Sequence, residues 1–206
     1  MTISDGQLQE AFERFSAAEL AKVSLGGEEL TAYAAALRET FDLHRGSDHG
    51  SLLSVRNVLL LSSRTPYIGY AGNQALMIEI PGDASDAVVG EAALRMLDAS
   101  RHMMIDYLSG RLHALERDEG MAFHQAYMND LSARCGFRNP AAMLNTAHAV
   151  SLTRARNTGL TNVSPMRRVK ADYFEGMGPD FDIEIASGGG PTLFGASIRD
   201  ALELCA

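Results

Sequence analysis

Cysteine is scarce in this 206-residue chain: Cys135 and Cys205 are the two present, far apart and without paired metal-ligand spacing, so reduced thiols are expected. Long apolar runs are missing as well. Nothing approaches the ~20 residues that cross a bilayer, and no basic segment followed by an apolar stretch opens the chain. The expectation is therefore a cytoplasmic protein with neither a membrane span nor a secretory leader. The signatures of several large enzyme classes are absent: no Gly-x-Ser-x-Gly elbow, no Ser-x-x-Lys pair, no His-Glu-x-x-His segment, no P-loop and no dinucleotide fingerprint. Basic charge is in deficit, with a formal net charge of −8. That balance argues against nucleic acid or an anionic membrane as a general partner. No internal repeat or low-complexity tract is present.

What remains is an ordinary globular composition, 46% apolar and 21% charged, long enough to bury a sizeable core. One domain over residues 1–206 is expected, with an N-terminal helical hairpin, 1–44, as a candidate subdomain. Ser4 and Gln7 have capping-box spacing, and Leu8, Ala11, Phe12 and Phe15 follow at helical intervals, predicting a helix from Asp5 to Val23. Gly26 and Gly27 break it. Leu30, Tyr33, Leu37 and Phe41 then mark a second helix ending near His44.

The strongest periodic stretch runs over 83–119, where Val89, Ala93, Met96, Leu97, Met103, Met104, Tyr107, Leu108, Leu112 and Leu115 fill one helical arc. That arc, about 200° wide, exceeds the stripe of a surface helix and predicts a long, largely buried central helix. Arg111 falls inside it and needs an anionic partner or a route to water. Opposite lies a polar ladder of Arg95, Asp98, His102, Asp106, Ser109, His113 and Glu116.

Elsewhere the pattern predicts a loop over Arg45–Ser51, a strand over Leu52–Ser62 and a strand over Ala75–Ile80. A short helix ends in a left-handed cap at Gly136–Phe137, and another runs from Asn139 and Pro140 to about Arg156. A strand over Phe181–Ala186 precedes a terminal helix. The fold class is α+β: about six helices on a small sheet of three or more strands. Two of those strands share the sequence Ile-Glu-Ile and are expected in one sheet.

Three constellations carry chemical potential. Gly188, Gly189 and Gly190, with Thr192, form a glycine loop opening a helix, the geometry that cradles phosphate or carboxylate. Arg167 and Arg168, in a basic segment from Arg154 to Lys170, and Arg111 are the candidate charge partners. The histidines form two further groups, His102, Asp106 and His113 on the ladder and Asp42, His44, Asp48 and His49 in the predicted loop, with proton-relay or metal-ligand residue types but no ligand spacing. For both groups a solvated, hydrogen-bonded arrangement outweighs a metal site. Cys135 with His124 or His148 as a nucleophile is weaker still.

The leading functional expectation is a cytoplasmic protein binding a small phosphate- or carboxylate-bearing molecule, as a plain binder or as an enzyme of unassigned reaction and cofactor. The alternative is a non-catalytic helical subunit or scaffold acting through protein–protein association, including a homo-oligomer. Ten methionines, several on the central helix, suit an adaptable interface as well as a core.

Overall fold

A computed structural model of the chain describes residues 4–64, 76–111, 117–170, 173–186 and 188–205. In chain order the elements are α1 (Asp5–Lys22), α2 (Gly27–His44), β1 (Ser47–Val55), β2 (Val58–Arg64), β3 (Met77–Pro81), α3 (Asp86–Leu108), α4 (Arg117–Arg134), α5 (Pro140–Leu144), β4 (His148–Ala155), β5 (Thr161–Lys170), β6 (Tyr173–Gly176), β7 (Ile183–Ile185) and α6 (Pro191–Leu204). The described residues thus hold six helices and one antiparallel sheet of seven strands, the α+β class read from the sequence.

Strand order is β3-β2-β1-β4-β5, and the far edge of β5 is shared. Its Thr161–Val163 half pairs with β7 and its Met166–Lys170 half with β6. Pro165 sits between the two halves, where its missing N–H costs no ladder bond. The two Ile-Glu-Ile strands do share this sheet, on opposite sides of it. Each turns its isoleucines, Ile78 and Ile80 or Ile183 and Ile185, toward the same core.

That core lies between one sheet face and the helices α3 and α6, around Leu52, Leu61, Val150, Leu152, Val163, Met96, Leu97 and Ile198. The two helices approach backbone to backbone. A Cβ on Gly90 would stand 1.8 Å from the Pro191 carbonyl oxygen, and one on Gly195 1.9 Å from that of Asp86. Only glycine at both positions permits this crossing. On the opposite face α4 and α5 cover a second cluster of Leu60, Val55, Met128, Leu131 and Met143. The α1–α2 hairpin packs on the C-terminal end of α3 through Phe12, Phe41, Met104 and Leu108, with the two phenyl rings stacked at 4.1 Å.

Local signals explain several boundaries. Ser4 and Gln7 do form the capping box of α1, Gly136 adopts φ 72° after α4, and Asn139 accepts from the Ala142 N–H at 2.8 Å. Other expectations are corrected. The predicted Asn139–Arg156 helix stops at Leu144, and β4 follows, because Val150 and Leu152 alternate toward the α3–α6 core. Arg45–Ser51 is not all loop: β1 begins at Ser47. The strand read over Leu52–Ser62 is a hairpin, β1 and β2, turning at Arg56, which takes φ 48°. The Phe181–Ala186 strand is shorter, since a 3-10 turn spans Pro179–Phe181. The long central helix is α3, which ends at Leu108 before Gly110 at φ 69°. In β4 tertiary pairing overrode local propensity.

Candidate functional site

The residues singled out from the sequence fall in separate places. Gly190 is the N-cap of α6, Gly188 has φ 92°, and Thr192 lies in the first turn of that helix. Arg167 and Arg168 are exposed on β5, paired with Glu175 at 3.5 Å and with the Asn145 side-chain oxygen. Thr161 of β5 faces Ile185 near the glycine loop, so Arg167, six residues on, stands roughly 20 Å from it at ~3.4 Å per residue. Arg111 is farther. Gly90 abuts Pro191, and the α3 residues from there to Leu108 alone extend about 27 Å at ~1.5 Å each. Nor is Arg111 inside an apolar arc: it follows the helix end, exposed, donating to Asp106 at 2.8 Å.

The basic segment is largely consumed by structure. Arg154 donates to Asp48 Oδ2 at 3.0 and 2.7 Å and to Asp98 at 2.7 Å. Arg156 donates to Asp48 Oδ1 at 2.6 Å and to the Arg45 carbonyl at 2.6 Å. Asp48 is 1% exposed, so this cluster rivets the start of β1 to β4, α3 and the end of α2.

Of the histidine groups, His102 bonds the Asp98 carbonyl at 2.8 Å and Asp106 takes Arg111. His113 and Glu116 lie outside the described residues. Asp42 pairs with Arg38 and Arg45, while His44 and His49 meet edge to face at 5.6 Å. Among the described residues no group of three or more His, Cys, Asp or Glu side chains is placed to hold a metal ion. Cys135 is buried in the α4 cluster.

Sequence reading missed the most unusual surface, on the α4 side of the sheet. The apolar cluster under α4 and α5 reaches the row Leu60–Leu53 and, on β3, Met77 of the next row. In the next row Ser62, Ser51, Ser151 and Ser164 stand in register across β2, β1, β4 and β5. The row beyond is Arg64, His49, Thr153, Asn162 and Glu184, across five strands. Strand alternation sets both rows on the Leu53 and Leu60 side.

Ser51 and Ser62 hydroxyls share a bond at 3.0 Å, and Arg64 donates to Ser51 at 3.1 Å. His49 Nε2 and Asn162 Oδ1 are buried atoms without a hydrogen-bond partner. Each such atom costs about 1–3 kcal/mol when left unpaired. Burial, then the neighbouring His44 and Arg156, holds His49 below the usual histidine range and favours the neutral ring. His124 on α4 is lowered by burial and next by the charge of Arg64.

These features define an α+β protein built on one antiparallel sheet, covered by helices on one face and half-covered on the other. The chain belongs to the CDI immunity protein family, whose model matches residues 59–205, from β2 to α6. Two solved structures share the fold. One is a protein of unknown function from Neisseria meningitidis, with TM-score 0.62, 16% identity, and 78% of this chain and 96% of that chain covered. The other is a chain of the CdiA-CT/CdiI toxin and immunity complex from Yersinia pseudotuberculosis, with TM-score 0.59, 15% identity, and 78% and 98% covered. No curated protein matches the sequence significantly.

Family membership overturns the leading functional expectation. A small phosphate- or carboxylate-bearing ligand is not what an immunity protein family implies, and the alternative, action through protein–protein association, is the one favoured. The glycine loop and basic segment misled because glycines at a helix start and arginines on a strand serve packing and ion pairing as readily as anion capture. No described helix is long and apolar enough to cross a membrane.

Proposed function

We propose that this chain is a non-catalytic immunity protein that works in the cytoplasm by binding a toxin protein and blocking its action. The observation that carries this reading is the family match over residues 59–205, which takes in six of the seven strands and the helices on both sheet faces. A toxin and immunity complex among the structures sharing the fold supports it. The net charge of −8 supports an electrostatically steered approach to a basic partner surface.

The test is co-expression with a candidate CdiA-CT toxin domain from the same organism. A stable complex on size-exclusion chromatography and restored growth of toxin-expressing cells are expected. Separate elution together with unrelieved toxicity would refute the reading.

A further inference from the structure

We infer that the toxin docks across the two polar rows of the sheet, with a cationic group of the toxin over Glu184 and an anionic group over Arg64. This rests on the immunity reading above and names the surface that carries it. The four serines in register are an uncommon choice for a sheet face, because a solvated face usually carries longer charged or β-branched residues. All four are half-buried, as are His49, Thr153 and Asn162 beside them.

The second row is polarised. It starts at the guanidinium of Arg64 and ends at the exposed carboxylate of Glu184. Glu184 has no ion-pair partner among the described residues, and Asp182 lies two residues back along the same chain segment. At ~4.8 Å between strands, the five-strand row is about 19 Å long, the span of an extended segment of roughly six residues. Between its charged ends the row presents the half-buried side chains of His49, Thr153 and Asn162. An oppositely polarised peptide segment, carrying donors and acceptors between a base and an acid, complements this surface in charge and length. The exposed ring of Phe181, at 43%, lies next to Asp182 and suits an aromatic contact at the rim.

Titration calorimetry of the full chain against that toxin domain tests the assignment. Three variants are compared: Ser151→Arg, which fills the serine row; Glu184→Arg, which reverses the acidic end; and Glu29→Arg, the same charge change on exposed α2. Ser151→Arg is expected to weaken binding at least 100-fold, Glu184→Arg at least 10-fold with a smaller salt dependence, and Glu29→Arg less than 3-fold. Circular dichroism checks folding. Should Ser151→Arg unfold, Glu184→Arg, an exposed position on a short outer strand, decides alone. A wild type that binds while Glu184→Arg binds within 3-fold of it overturns this docking face and leaves the immunity reading standing. A wild type that does not bind the toxin overturns the immunity reading and this assignment with it.

Discussion

Replacing Asp48 by asparagine removes the carboxylate that Arg154 and Arg156 share. Its side chain is 2% exposed, that of Arg156 3% and that of Arg154 19%. Arg154 retains Asp98 at 2.7 Å and a path to water. Arg156 keeps the Arg45 carbonyl but is left with its charge buried and uncompensated. Breaking a buried pair from one side costs about 3–5 kcal/mol, whereas an exposed pair such as Arg14–Glu10, at 74% and 68% exposure, is worth less than about 1 kcal/mol. Asp48→Asn should therefore lower the unfolding free energy by about 3–5 kcal/mol, or Tm by roughly 6–20 °C at 2–4 °C per kcal/mol for a chain this size. Glu10→Gln is the control and should be nearly silent. Equilibrium urea unfolding at pH 7, followed by far-UV circular dichroism, reads both. The double variant Asp48→Leu/Arg156→Met removes both buried charges and should regain most of the loss, since apolar replacements of buried ion pairs are often neutral or better. If Asp48→Asn unfolds within 1 kcal/mol of wild type, the cluster is not the rivet its geometry describes.

Gly90→Ala and Gly195→Ala each place a methyl group against backbone of the facing helix; each should destabilise by at least the ~1–3 kcal/mol of an overpacked site, read as a lower urea midpoint. A melt unchanged in both would mean that α3 and α6 separate freely. His44, His49 and His124 are all held below the usual histidine range, burial being the first cause in each. The unfolded chain then binds more protons than the folded one just below pH ~6.5, so stability is complete above that pH and declines on acidification through it. Urea midpoints at pH 7.5 and 5.5 should show this fall, and His49→Gln should lessen it; an equal fall in both proteins would exonerate His49. Glu79 accepts from Arg134 at 2.7 and 2.9 Å and from the Tyr127 hydroxyl at 2.5 Å. Glu79→Gln should loosen α4 from β3 by about 1–2 kcal/mol while α3 and α6 stay in place, seen as faster amide exchange confined to α4.

How much of this was legible follows from how locally each feature is encoded. The caps at Ser4, Asn139 and Gly136 depend on three or four consecutive residues, and the sequence places all of them correctly. The buried stripe of α3 is periodic within one helix, so Val89, Ala93, Met96 and Leu97 could be read directly. The sheet was underestimated because its strands are specified by partners far away: Val150 is in a strand because Leu52 faces it across β1. Over Ala141–Ala149, alanines and Leu144 suit a helix equally well on propensity alone.

The candidate docking surface was illegible for a different reason. Ser51, Ser62, Ser151 and Ser164 are distant in sequence and unremarkable singly; only the register of four strands makes them a row. Glycines and arginines announce chemistry in a linear sequence, while serines and an asparagine announce nothing. A protein whose work is to fit another protein has no reacting atom to activate, so it needs no conspicuous residue type. It needs side chains of the right size at fixed relative positions, and a rigid sheet supplies those positions at ~4.8 Å intervals. The two faces divide that labour. The α3–α6 face is closed by apolar contacts and reciprocal glycines and sets the shape of the sheet. The other face is closed by α4 and α5 over Val55, Leu60 and, at the β3 edge, Met77, and beside that cluster, across β1, β4 and β5, the sheet turns from packing to recognition.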